Sequence, residues 1–369
     1  MTPSLNEIIN ALEAEVNPGL QESWDNTGWQ VCAESKDDAC TGVLICVDVT
    51  DAVISEAIAR GYNLIVSHHP LIFRPLKRLT GTTPAERMAI KLIKSGISVY
   101  SAHTSLDNAS KGVSNYLAEA LGLTKICPLA PRRDVLYKVA VYVPEKDADT
   151  VRDAMHHAGA GHIGRYDRCG FTIKGEGTFR PLQGSNPHIG QQDETTEVSE
   201  MKIEAVVSAH LRSKVESAIR KAHPYEEPAI DIYHIEAADT STGLGAVGNL
   251  PQPLSAARLI ERIKEVYGSP VVRTTPHDDS MTVSRVALCG GSGGEFIPAA
   301  IGAGAQVYVT SDVRYHDFVD YRERILVVDT GHYESEKCTT ILLSSIISKK
   351  FPNFAVGIST TETNSITYQ

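Results

Sequence analysis

Leu64-Ile-Val-Ser-His-His-Pro70 is a short apolar run that ends abruptly in two imidazoles and a proline. Three consecutive aliphatic residues, two of them β-branched, suit a strand buried on both faces, and the proline stops it. The same plan recurs on either side. Upstream, Gly42-Val-Leu-Ile-Cys-Val-Asp48 reads as a second buried strand, followed by a helical stretch from about Ala52 to Ala59. Downstream come a helix around Ala85 to Ile93, a strand Val99-Tyr-Ser-Ala102 and a helix around Val113 to Leu121. Short apolar strands alternating with helices predict an α/β layer with a largely parallel sheet. Ser4-x-x-Glu7 ahead of Ile8, Ile9 and Leu12 predicts a capping box on a first helix reaching about Ala14.

The pattern then changes character. Tyr137-Lys-Val-Ala-Val-Tyr-Val143 alternates, Ala148 to His157 has helical spacing, and Phe171 to Phe179 reads as a strand. Lys202 to Val207, Lys214 to Ala222 and Ala229 to Ile235 repeat the order strand, helix, strand. Two β-α units flanking an extra strand predict a split βαβ, ferredoxin-like α+β domain. Gly184 to Glu200 is polar and turn-rich, a long mobile loop on this reading. The α/β style resumes with a helix near Leu254 to Val266, strands Arg285–Leu288, Val307–Val309 and Ile325–Val328, and a helix near Thr339 to Ser348. The expected organisation is an α/β core with a mostly parallel sheet, built from residues 1–129 and 246–369 and interrupted by an insert at 130–245. The Thr-, Ser- and Asn-rich tail after Ser359 is expected to fray.

Composition sets the outer limits. The chain has 369 residues, 42% of them hydrophobic and 22% charged, which excludes wholesale disorder and fibrous repeats. Its formal charge of -10 works against sequence-independent binding to nucleic acid or anionic lipid. The seven cysteines form no C-x-x-C pair, so a disulfide framework is not expected and a reducing, cytoplasmic setting is. The first residues lack the basic start and apolar run of a secretion signal, and no apolar stretch approaches the roughly 20 residues of a membrane-spanning helix.

In open α/β sheets ligands collect outside the carboxyl ends of the strands. Strand 64–66 runs into His68 and His69, strand 99–102 into His103 and Asp107, and strand 325–328 into His332 and Glu336. Imidazole and carboxylate are ligands for Zn²⁺, Mn²⁺ or Fe²⁺, and folding brings separate strand ends together. Adjacent extended residues point to opposite sides, so His68 and His69 suit two neighbouring ions better than one. Asp107 can bridge such ions or simply cap a turn. Glu336, one helical turn beyond His332, can join the ligands or serve as a first-turn acid. His103 and His316 remain as acid/base candidates, or as residues that support the site.

Cys289-Gly-Gly-Ser-Gly-Gly-Glu-Phe296 has the outline of a dinucleotide loop, but Phe296 stands where the third glycine belongs. A tight strand-to-helix turn, or a site for a substrate phosphate, fits it better. Trp24-Asp-Asn-Thr-Gly-Trp29 is either turn chemistry or a loop that positions substrate. His223-Pro-Tyr-Glu-Glu-Pro228 is rich in His and carboxylate, yet its flanking prolines suit a rigid connection better than a second metal site.

Trp24-Asp-Asn-Thr-Gly28, Ser67-His-His-Pro70, His103-Thr-x-x-Asp107, Gly290-Gly-Ser-Gly293, Thr310-Ser-Asp312 with His316, and Gly331-His-Tyr-x-x-Glu336 span essentially the whole chain. In that order they resemble the NIF-three-like dinuclear-metal family, whose bacterial members carry the label GTP cyclohydrolase 1 type 2 homolog. The His223 to Pro228 segment is similar to the longer members with an inserted PII- or CutA-like domain. The resemblance implies that His68, His69, Asp107, His332 and Glu336 hold two divalent cations, with Zn, Fe or Mn expected, and that Glu334 stays outside the set. It also implies a toroidal homohexamer with the metal sites facing an internal cavity. Trp29 departs from the aliphatic residue common at its position. Two neighbouring cations lower the pKa of water and clamp an electrophile's oxygen, the apparatus of a hydrolase acting on a small-molecule or nucleotide ligand such as GTP. The competing reading is a non-catalytic hexamer that binds or delivers metal, or regulates a partner.

Overall fold

Ser4 caps the first helix, Leu5–Glu15, through the expected reciprocal pair: its hydroxyl accepts from the Glu7 N–H at 3.1 Å, and its own N–H donates to the Glu7 carboxylate at 2.8 Å. The computed structural model describes residues 2–369 apart from Glu34, Asp134 and Arg165. The chain divides into two compact units, residues 1–130 with 241–369, and residues 131–240.

The discontinuous unit is built on two large sheets rather than one. In the first, Val43–Cys46, Leu64–Ser67, Ser98–Ser101 and Val356–Ile358 run parallel, and Gly28–Val31 adds an antiparallel edge beside Ser98–Ser101. The second sheet has six strands in the order Arg273–Thr274, Leu326–Asp329, Val307–Ser311, Thr282–Ser292, Ala246–Ser255, Thr124–Cys127. Only the second, third and fourth strands in this order run parallel to one another, so this sheet is mixed. The antiparallel partners at its margins are Pro-, Thr- or Cys-containing segments whose weak apolar signal hides them in the sequence.

Alternation within the strands sorts their side chains into layers. Val43, Ile45, Leu64 and Val66 enter a large core shared with Val286, Leu288, Val307 and Val309 of the second sheet. Helices Leu5–Glu15, Val113–Ala120, Ala256–Tyr267 and Thr339–Lys350 contribute to that same core. On the other face of the first sheet, Leu44, Cys46, Ile65 and Val99 pack on Ile54, Ala57 and Leu92. On the outer face of the second, Ala287, Tyr308 and Val327 pack on Ile297 and Ala300.

Residues 131–240 form a β-α-β-β-α-β unit whose sheet order is Ile230–Ile235, Leu136–Pro144, Thr196–Ser208, Gly170–Phe179, antiparallel throughout. Its own core joins Val139, Val141 and Ile203 to Val151 and Met155 of one helix and Val215 and Ile219 of the other. The stretch read as a loop from Gly184 to Glu200 is shorter than expected, because Thr196 to Glu200 pair with Gly175 to Phe179 as strand. A second correction concerns the end of the chain. Ser359, Thr360 and Thr361 are clamped by the Glu56 carboxylate through hydrogen bonds of 2.7–3.1 Å, so the tail does not fray there. None of the seven cysteines is joined in a disulfide among the described residues. Among the described residues, no helix is long and apolar enough to cross a membrane.

Candidate metal centre

The carboxyl ends of both sheets supply the centre. At the end of Leu64–Ser67 the Ser67 hydroxyl bonds to the Ser101 hydroxyl at 2.7 Å and donates to the His69 carbonyl at 2.8 Å, which pins the turn. The rings of His68 and His69 do not diverge to opposite faces. Their centroids lie 5.0 Å apart, because the chain bends into Pro70 as the strand ends. Ser98–Ser101 leads to His103 and the one-turn helix Thr104–Asp107, and Leu326–Asp329 leads to the helix His332–Glu336, which begins at His332 as expected.

Glu336 stands among three imidazoles. Its Oε2 lies 2.8 Å from His69 Nε2 and 2.9 Å from His332 Nε2, while its Oε1 lies 3.6 Å from His68 Nε2. Asp107 Oδ1 is 3.8 Å from His68 Nε2. The glycine-rich stretch accounts for the fit of Glu336. The strand Thr282–Ser292 continues through Gly290 and Gly291 instead of turning at Cys289, and Gly291 has φ +65°. A Cβ at Gly291 would collide with the Glu336 carboxylate, so the backbone must be bare at this point. The Gly291 N–H donates to the Ser335 hydroxyl at 2.9 Å, tying the helix to the strand.

Each imidazole is oriented from behind. His68 Nδ1 donates to the Ala102 carbonyl at 3.0 Å. His69 Nδ1 meets Asp48 at 2.9 Å, His103 Nδ1 meets Asp25 at 2.7 Å, and His332 Nδ1 meets Asp312 at 2.7 Å. This is the outer arrangement that fixes the tautomer of metal-binding histidines. Residue type alone does not single out these three acids, although Asp48 and Asp312 each follow a strand. Asp312 adopts φ +52°, a left-handed conformation that Asp tolerates better than most residues.

Charge within the cluster is divided unevenly. Burial opposes ionisation of Glu336, but His68, His332 and His69 overcome it and hold the carboxyl well below its usual range. Asp107 moves the other way, pushed up chiefly by burial and further by the negative charge of Glu336. Burial disfavours the His69 cation, yet Asp48 and Glu336 outweigh it and raise the ring to about 10. His332, between Glu336 and Asp312, is raised against its burial to about 9. Asp25 is held far below the usual carboxylate range: burial works against this, and hydrogen bonds from His103 and Thr104 prevail.

The donor set fits a divalent cation on one observation in particular. His68 Nε2 and Asp107 Oδ1 are buried and have no hydrogen-bond partner. Nδ1 of His68 is committed to the Ala102 carbonyl, so Nε2 is the atom that faces the carboxylates of Asp107 and Glu336, buried and beyond hydrogen-bond distance of both, where a cation would give all three a partner. Nitrogen and oxygen donors at this density can hold a metal ion in two overlapping groups, His69 with His332 and Glu336, and His68 with His69 and His103. His103 therefore stands within ligand range as well as acid/base range. His316 is placed differently: it is exposed on the helix Tyr315–Tyr321, and its described ring contact is with Tyr315. Glu334 accepts from Asn364 at 2.8 Å.

An α/β scaffold that draws histidines and carboxylates from the ends of two sheets into one cluster, buried at His68 and Glu336 and partly exposed at His69, His103 and His332, defines a protein with side-chain groups that could hold a metal ion. Residues 3–366 match the family described as Duf34/NIF3 (NGG1p interacting factor 3), and the chain belongs to that family. A GTP cyclohydrolase 1 type 2 homolog of Bacillus subtilis is 40% identical over 376 residues, covering 100% of both chains. A homolog of the same name from Halalkalibacterium halodurans is 42% identical over 292 residues, 79% of this chain and 78% of its own. Among solved structures, a Bacillus cereus protein related to NIF3 aligns with TM-score 0.85 at 35% identity, and Staphylococcus aureus protein SA1388 with TM-score 0.76 at 30% identity. Both alignments cover 100% of each chain.

Proposed function

We propose that the chain binds two divalent cations through His68, His69, Asp107, His332 and Glu336 and is a metal-dependent hydrolase of a nucleotide-like substrate. The observation that carries this reading is the pair of buried, partnerless ligand atoms, His68 Nε2 and Asp107 Oδ1. Glu336 is the shared carboxylate, one oxygen toward His68 and the other toward His69 and His332. When bound, such cations acidify water and polarise an electrophilic oxygen.

The chain's own residues supply the rest. Asp25 holds Nδ1 of His103, which leaves Nε2 free to accept or return a proton at the cluster. Trp24 and Phe73, 59% and 47% exposed, lie with ring centroids 6.1 Å and 6.3 Å from that of His103 and offer faces to a planar base. Arg74, Lys77 and Arg78, exposed just beyond Phe73, suit the phosphates of a nucleotide. Zn, Fe and Mn all accept this ligand set. The family resemblance adds a homohexameric ring, which light scattering would detect against a 40.0 kDa protomer.

The test is a turnover screen of nucleotides, GTP included, with metal-reconstituted protein beside a His69→Ala control. Metal-dependent consumption that His69→Ala abolishes supports the hydrolase. Stoichiometric metal without turnover of any compound transfers the reading to metal binding or delivery, and failure to bind metal removes both.

A further inference from the structure

A cavity of roughly 510 Å³ lies wholly within the 131–240 unit, where the Gly170–Phe179 and Thr196–Ser208 strands meet the turn that begins at His223. Its volume is that of a small-molecule site. We propose that it binds a small organic cation, an ammonium group carried on an apolar or aromatic body.

One wall is aromatic. The Tyr225 ring lies 5.8 Å from Phe179 and 6.2 Å from His188, centroid to centroid, tilted 57° and 51°, so the three rings enclose a corner rather than stacking flat. Ring faces arranged in this way attract a cation that has left water. The charged part of the lining is acidic: Glu200, Glu226, Glu227 and Asp231 contribute carboxylates, and among the described residues no Lys or Arg lines the cavity. Three of those acids are met by neutral donors. Glu200 accepts from the Tyr225 hydroxyl at 3.0 Å, Glu226 from the Asn186 N–H at 3.0 Å, and Asp231 from the Tyr142 hydroxyl at 3.0 Å. Among the described residues, Glu227 is the one of the four with an ion pair, to Arg220 at 4.0 Å.

Two details show that the acids and rings are held in place. A Cβ at Gly177 would run into the Glu200 carboxylate, so a bare backbone gives that acid its room. His223 uses both ring nitrogens on backbone, Nε2 with the Tyr142 carbonyl at 2.9 Å and Nδ1 with the Tyr225 N–H at 3.1 Å. The His223-Pro-Tyr-Glu-Glu-Pro228 segment is thus a rigid holder for Tyr225 and Glu226. Neighbouring lysines do not reverse the sign. Lys202 is bound to Glu204 at 2.6 Å, and Lys146 approaches His188 at 3.4 Å without lining the cavity. A surplus of carboxylates beside aromatic faces repels phosphate, so this ligand differs from the nucleotide proposed for the metal centre.

The experiment titrates the full-length protein with three probes of similar shape, 2-phenylethylamine, 2-phenylethanol and 3-phenylpropionate, by calorimetry and ligand-observed NMR. The amine is expected to bind saturably, the alcohol about tenfold more weakly, and the carboxylate not at all. Phe179→Ala and Glu226→Gln should each weaken the amine by about five- to tenfold with unchanged melting temperature and metal content. The Glu226 side chain is exposed, so Glu226→Gln keeps the test valid if Phe179→Ala misfolds. No saturable amine binding up to about 10 mM, equal binding of the carboxylate, or undiminished binding by the folded variants overturns the proposal.

Discussion

His69 shows how much of the centre's behaviour resides in residues that would never touch a metal. Its Nδ1 meets Asp48, and Asp48 in turn is placed by Glu362, whose carboxylate accepts from the Val47 N–H at 3.0 Å and the Asp48 N–H at 2.6 Å. Removing the charge while keeping the shape, Asp48→Asn, should weaken metal binding by about 10–100-fold, read by competition against a chelator. Unchanged affinity would show that the Asp48 contact is incidental. Asp25→Asn separates the two roles open to His103. Loss of turnover at full metal content marks His103 as a proton carrier, and loss of metal marks it as a ligand. The paired histidines, Asp107, His332 and Glu336 are legible in the sequence because imidazoles follow three strand ends, two of them with a carboxylate four residues on, where an open sheet gathers its ligands. Asp25 and Asp312 stand in motifs read from the sequence and Asp48 ends a strand run, but their role as ring partners is not legible, since a lone Asp in a loop or after a strand is also an ordinary turn former. Their role exists only once a ring nitrogen is brought within hydrogen-bond distance.

At the scale of elements, hydrophobic strands and capped helices announce themselves, while glycine runs and polar tails mislead. Gly290 and Gly291 read as a turn, yet they are strand residues stripped of side chains so that the helix His332–Glu336 can approach. The tail reads as frayed because its contacts are polar and distant in sequence. Glu56 gathers it, receiving Ser359, Thr360 and Thr361 while pairing with Arg60 at 2.5 Å. Burial of Glu56 works against its charge, but hydrogen bonds from Ser359 and Thr361 lower its pKa from 4.5 to about 2. A folded value below the unfolded one means that the unfolded chain takes up the proton first as pH falls. The clamp's contribution is therefore complete above pH 4.5 and disappears as pH drops through about 2. Glu56→Ala should lower stability at neutral pH by about 1–3 kcal/mol in denaturant melts, with the deficit closing over that acid window. An equal deficit at all pH values would assign the loss to packing instead.

Across the whole molecule, the broad α/β class follows from the alternation of apolar strands with helices, but the division into two sheets does not. Nothing local in Val307–Ser311 says that it pairs with Leu326–Asp329 rather than with Leu64–Ser67; pairing is decided by which faces share a core. The largest core draws on Leu5 and Val113 from one part of the chain and Leu259 and Leu343 from the other, so the two stretches of the discontinuous unit must fold together. Residues 131–240 have a separate core around Val141, Met155 and Ile219. Every residue of the candidate metal centre belongs to the discontinuous unit, and a ligand stabilises the cooperative unit that binds it. Calorimetry of the metal-loaded protein should then resolve two transitions. Chelation should lower one of them by about 5–10 °C, as expected for a ligand held near a hundred times its Kd, and leave the other in place. Proteolysis during the melt identifies which unit opens first, and the 131–240 unit should keep its transition after chelation. A single transition, or an equal shift in both, would mean that the two cores unfold as one.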